Sequence, residues 1–153
     1  MIAAGDEQAR ASSEASGCHP VVNQAPHLGL SHSLRIGLES LEQHSWKETG
    51  AALVFLADQP LVRLGVVEAL VAAWKAGGGV MVRPRYEGTP DIPGHPVLLD
   101  RSIWPLVQRL HGDRGFAGVL DSISQPIMIL NVAGDNPDID TPADLQALEE
   151  LTR

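Results

Sequence analysis

Five short stretches carry side chains whose type and spacing could do chemistry. Asp58 follows the apolar run AALVFLA (51–57) and precedes Gln59-Pro60. A carboxylate at the carboxyl end of a buried strand can hold Mg²⁺, a hard cation that takes oxygen ligands and shares them with phosphates. It could equally open a turn or cap a helix. The second stretch is Asp138-Ile139-Asp140-Thr141-Pro142-Ala143-Asp144. Thr141 suits an N-cap, Pro142 the first helical position and Asp144 the reciprocal position three residues after the cap. That gives Asp144 a structural role and leaves Asp138 and Asp140 to face a site or solvent. Together with Asp58 they could supply acidic oxygens to one metal. His95, between Gly94 and Pro96, sits on a constrained backbone and could contact a phosphate or simply bond within its loop. Gly112-Asp113-Arg114-Gly115 sets an arginine at the start of a short helix, and both features favour anions, although a connecting turn reads the same way. Gly29-Leu30-Ser31-His32-Ser33-Leu34-Arg35 puts two serines at a helix start, where they can cap it or bind an anion beside free N–H groups.

Other chemistries find no support. The six histidines form no HxH or HxxxH pair, so no zinc site is expected. There is no GxSxG elbow, no GxxxxGK(S/T) loop and no GxGxxG after a strand, which leaves a covalent serine or cysteine mechanism without a basis. The single cysteine, Cys18, excludes an internal disulfide and fits a reducing cytoplasm.

The elements that must position these residues follow from periodicity. Asp6–Ser13 reads as a short helix and Val21–Asn23 as a short strand. Leu34, Leu38 and Leu41 mark a helix from Ser31. The continuous run 51–57 fits a strand buried on both faces of a parallel sheet. Leu64, Val67, Leu70, Val71 and Trp74 stripe a second helix, closed by Gly77-Gly78-Gly79 with Lys75 in its last turn. Val80–Val82 reads as a strand, and the Pro- and Gly-rich stretch 83–96 as an irregular loop. Ile103–Leu110 reads as a helix with Pro105 in its first turn, 116–123 as a short helix, Ile127–Val132 as a strand, and Pro142–Leu151 as a final helix. This alternation predicts an open α/β sheet with helices on its faces, in one domain over 1–153.

The bulk numbers agree. The 153 residues are 44% hydrophobic and 20% charged, enough for an ordinary core. The net charge of −8 repels a phosphate backbone and disfavours nucleic acid. A small phosphorylated ligand would need a divalent cation or a local cluster of basic groups. No run approaches the roughly 18 apolar residues of a membrane span, and the first residues lack the basic and apolar regions of a signal peptide. A soluble cytoplasmic protein is expected.

Taken in order, GLSHSLRIGL (29–38), LADQP (56–60), GHPVLL (94–99), HGDRG (111–115) and DIDTPADL (138–145) resemble the MobA/MocA-like molybdenum cofactor nucleotidyltransferases. The resemblance implies a Rossmann-like, GT-A-like three-layer α/β fold. It also implies Mg²⁺-dependent transfer of CMP or GMP from CTP or GTP to molybdopterin, with a molybdoenzyme as a further partner. By motif position, Asp58 would be the catalytic metal ligand and Asp140 the second ligand. Ser33 would lie near the nucleotide, and His95, Asp113 and Arg114 nearer the pterin.

One feature of the family has no counterpart. Members open with a strand and a loop of the form LAAGxSxRMGxxK around the triphosphate. Ile2-Ala3-Ala4-Gly5 begins similarly, but Asp6-Glu7-Gln8 follows, and two carboxylates would repel a triphosphate. We expect 2–5 to match the end of the family's second strand, so that the first strand, phosphate loop and first helix are missing from this amino-terminally truncated domain. Impaired transfer, exposed sheet edges and a homo-oligomer would follow. The alternative function is a non-catalytic module that binds molybdopterin or a molybdoenzyme.

Overall fold

The computed structural model describes residues 1–43, 48–107, 109–110, 112, 120 and 123–151. The chain forms two compact units, one from 1–50 and 101–124, the other from 51–100 and 125–153.

In the first unit, β1 (Ile2–Ala3) pairs parallel with β2 (Val22–Asn23), Ile2 opposite Val22. The crossover between them is α1 (Glu7–Ala15), whose first turn is closed by the Asp6 carboxylate accepting from the Ala9 N–H at 2.9 Å. α2 (Leu30–Gln43) begins one residue earlier than its serines suggested, so Ser31 and Ser33 lie inside the helix rather than capping it. Helix formation around Pro105 takes two steps: a 3₁₀ turn at Arg101–Ile103 and then α4 (Trp104–Val107), which keeps Pro105 in a first turn where no intrahelical N–H is required. Ile103, Trp104, Val107 and Leu110 are buried, and the Arg101 guanidinium lies 5.4 Å from the centre of the Trp104 ring. The helix expected over 116–123 falls largely outside the described residues.

The second unit holds a four-stranded sheet of order β3-β5-β4-β6: β3 (Ala51–Val54), β4 (Met81–Tyr86), β5 (Val97–Asp100) and β6 (Ile127–Val132). β4 and β6 run parallel, while β5 runs antiparallel to both β3 and β4. α3 (Leu64–Lys75) lays Val66 and Leu70 on one sheet face against Val82, Tyr86 and Leu98. Each such fully buried aliphatic side chain stabilises the fold by roughly 1.5–3 kcal/mol. α5 (Pro142–Leu151) closes the chain.

Three expectations need correction here. The strand expected over 51–57 stops at Val54 and pairs antiparallel with β5; it is only half-buried because, among the described residues, it lies at the edge of the sheet, and Phe55 is already 50% exposed. The stretch from 83 is not irregular at once, since β4 continues through Arg83-Pro84-Arg85 to Tyr86. Pro84 is tolerated because its missing N–H falls beyond Val82, the last β4 residue paired with β5. β5 itself, Val-Leu-Leu-Asp after Pro96, was not foreseen. Among the described residues, no helix is long and apolar enough to cross a membrane.

Candidate functional site

Within the second unit, three segments far apart in sequence converge: the exit of β3, the loop before β5 and the stretch after β6. Asp58 is exposed on the turn after β3, and its carbonyl accepts from the Ile139 N–H at 2.8 Å. Beside it, the Gln59 amide donates to the Asp138 carboxylate at 2.6 Å. Asn136, 6% exposed, ties the segments together. Its side-chain oxygen accepts from Leu61 N–H at 3.1 Å, and its amide donates to Gln59 Oε1 at 3.2 Å and to the His95 carbonyl at 3.4 Å. Tyr86, buried at the end of β4, donates its hydroxyl to the same carbonyl at 2.9 Å.

The loop carrying His95 is also gripped from β4. Arg83 Nε donates to the Gly94 carbonyl at 3.4 Å and its Nη2 to the Pro93 carbonyl, and the His95-Pro96 peptide is cis. Burial lowers the pKa of His95 below its ordinary 6.5. The charge of Arg83 lowers it further, while Asp138 and Asp58 act against both. The two acids and the imidazole therefore share one electrostatic neighbourhood. Burial likewise lowers the pKa of the Arg83 guanidinium and raises that of the Tyr86 phenol.

Asp140 lies two residues beyond Asp138 and is exposed. Its backbone N–H donates to Asp144 Oδ2 at 3.2 Å. Asp144 also accepts from the Thr141 N–H at 2.8 Å and returns its own N–H to Thr141 Oγ1 at 3.2 Å, the reciprocal arrangement of a capping box. The Thr141 hydroxyl also donates to Asp144 Oδ2 at 2.7 Å, and this bond first, then the backbone bonds from Thr141 and Asp140, lowers the pKa of the Asp144 carboxyl. Asp144 is thus committed to the start of α5. Ser33 belongs to the first unit, where its hydroxyl accepts from the Asn23 amide at 2.9 Å. Asp113 and Arg114 lie outside the described residues. Among the described residues, no three His, Cys, Asp or Glu side chains gather as a metal-binding group.

Sequence reasoning missed Asn136, Tyr86 and Arg83. Asn136 carried a usable signal, a polar residue between Gly134 and Pro137 in the turn directly after β6. Tyr86 and Arg83 did not, since both lay in a stretch read as a loop.

A family model described as a MobA-like NTP transferase domain matches residues 1–127. The chain belongs to this family. Among solved structures, this MobA-like chain is similar to Rv0371c from Mycobacterium tuberculosis, with 28% identity, a TM-score of 0.77, and coverage of 97% of this chain and 73% of that one. A manganese complex of Rv0371c gives 26% identity, a TM-score of 0.75, and coverage of 97% and 75%. The molybdopterin-guanine dinucleotide biosynthesis protein A of Archaeoglobus fulgidus shares the fold at 19% identity and a TM-score of 0.67, with coverage of 98% and 76%. No curated protein matches the sequence. The α/β architecture is that of MobA-like nucleotidyltransferases.

Proposed function

We propose that this chain takes part in Mg²⁺-dependent transfer of CMP or GMP from CTP or GTP to molybdopterin. The observation that supports this most is the tie between the Asp58 turn and the Asp138–Asp140 segment. The Ile139–Asp58 backbone bond and the Gln59–Asp138 bond hold two carboxylate-bearing loops together beside His95. In the reaction, a phosphate oxygen of the acceptor bonds to the nucleotide α-phosphorus as the α–β phosphoanhydride breaks, and pyrophosphate leaves. Charge neutralisation and positioning suffice, without a protein nucleophile.

The residues fit the cation. Asp58 and Asp140 are exposed oxygen donors on neighbouring segments. Mg²⁺ is commonly held by one or two carboxylates, with phosphate oxygens and water completing its shell. Bound there, it would offset the charge of the triphosphate. Asp58 and Asp140 would hold it, while Gln59 and Asn136 fix the two loops. His95, whose charged form is disfavoured by burial, would face the acceptor, and Ser33, Asp113 and Arg114 would contact the substrates.

The deciding experiment measures pyrophosphate release from CTP and from GTP with molybdopterin and Mg²⁺, in the chain and in Asp58→Asn. Transfer by this chain should be impaired, and Asp58→Asn should abolish what remains of it, since losing a charge-stabilising group usually costs about a hundredfold or more. Equal rates would reject the role of Asp58. Molybdopterin binding without turnover in either protein would favour the non-catalytic module.

A further inference from the structure

β4 offers two arginines to one side of its sheet. Side chains alternate along a strand, and Val82 and Tyr86 pack toward Val66 and Leu70 of α3. Met81, Arg83 and Arg85 therefore project from the opposite face. The parallel register sets Arg83 beside Ile129 and Arg85 beside Asn131 of β6, and both neighbours are exposed. Two guanidiniums two residues apart on a strand have Cα atoms roughly 7 Å apart, and their like charges repel. Among the described residues, neither β4 arginine is ion-paired with a carboxylate. This occurs in a chain whose net charge is −8.

The two arginines differ in what their donors do. Arg83 spends its Nε and Nη2 on the carbonyls of Gly94 and Pro93. Arg85 Nε is buried and has no hydrogen-bond partner among the described residues. A buried donor on a cation is costly to leave unmatched, and the planar guanidinium fork matches two oxygens of a carboxylate or phosphate.

We propose that Arg85, supported by the charge of Arg83, is the anion-holding residue of a subsite on this face of β4, and that the subsite takes a phosphate monoester. Of the two common oxyanions, the monoester is favoured because it is the group the acceptor carries in the nucleotidyl transfer proposed above, on which this inference rests. Arg83 joins the subsite to the candidate site, since the loop it grips is the one bearing His95.

The test is calorimetric titration of the full chain with phenyl phosphate, inorganic phosphate, pyrophosphate and acetate, in buffer containing a chelator so that no divalent cation takes part. Phenyl phosphate should bind more tightly than acetate or pyrophosphate. Arg85→Gln should weaken its binding by about tenfold or more, the scale of a bidentate charge-assisted pair. Arg85→Lys, which keeps the charge and loses the fork, should fall between the two and decides the matter if Arg85→Gln does not fold. Equal binding by the wild type and both folded variants, or no phenyl phosphate binding by the wild type, overturns the proposal. Preference for pyrophosphate also overturns it and marks a leaving-group site instead. Phenyl phosphate binding in the chelator is read without nucleotide, cation or turnover, so failure of the transfer reading and failure of this one remain distinguishable.

Discussion

The surroundings of His95 disfavour its charged form. Burial contributes most, Arg83 adds to it, and Asp138 and Asp58 offset only part, so the folded pKa lies below the ordinary 6.5. The unfolded chain binds a proton at this residue more readily than the folded one. The resulting stability is present above about pH 6.5 and is lost as pH falls through the folded value. Thermal midpoints of the wild type and His95→Gln should therefore run parallel at neutral pH and converge below about pH 6.5, where only the wild type pays for charging the imidazole. Comparing the two removes the contribution of the titratable groups they share. Curves that stay parallel down to pH 5 would contradict the burial of a neutral imidazole. Asn136 ties the loop in place, bonding to Leu61, Gln59 and the His95 carbonyl at once.

At the scale of elements, the end of α3 shows how local chemistry fixes a boundary. Ala76 is the C-cap, Gly77 adopts φ +81, and the Gly77 and Gly78 N–H groups bond to the Trp74 and Ala73 carbonyls at 2.9 Å, a Schellman closure. Gly79 carries a second constraint. Its φ is +141, and a Cβ there would lie 2.3 Å from the Pro126 carbonyl oxygen, on the strand-entry backbone that pairs with Val80. Gly77, at φ +81 with open space around it, faces only the backbone penalty. Gly77→Ala should cost about 1 kcal/mol, the ordinary price of a left-handed alanine. Gly79→Ala should cost more, roughly 2–4 kcal/mol, because a backbone carbonyl must move as well. Urea unfolding of the two variants checks the order, and a Gly79→Ala cost no greater than that of Gly77→Ala would show that the β4–β6 entry yields freely.

The same contrast explains what was legible. The ends of α3 and the start of α5 could be read because caps, glycines and a capping box are decided within a few residues. β5 and the continuation of β4 could not, because a four-residue strand exists only through partners elsewhere in the chain, and Pro84 argued locally against one. In the candidate site, Asp58 and Asp138 stood out as acids at element ends. The polar residues that align them did not: Asn136 gains its role only once it meets Gln59, 77 residues away, and Tyr86 only once β4 is extended and the loop after it returns the His95 carbonyl to its hydroxyl.

Across the whole molecule, 19 acidic residues against 11 basic ones make a field that any divalent cation weakens, so general screening must be separated from binding at one place. Linkage supplies the separation. A cation that binds the folded chain alone, at about ten times its dissociation constant, adds roughly 1.4 kcal/mol of stability. For a chain of this size that is a rise of about 3–6 °C in thermal midpoint. The manganese complex of Rv0371c makes Mn²⁺ a natural probe beside Mg²⁺. If Asp58 anchors the cation, Mn²⁺ should raise the midpoint of the wild type above that in sodium chloride of matched ionic strength. Most of that increment should vanish in Asp58→Asn, which removes one negative charge of nineteen and so barely changes the general field. An equal increment in the variant would assign the effect to the diffuse acidic surface. Disappearance of the increment would instead place a specific cation at the turn after β3, where the Ile139–Asp58 bond joins the two acidic loops.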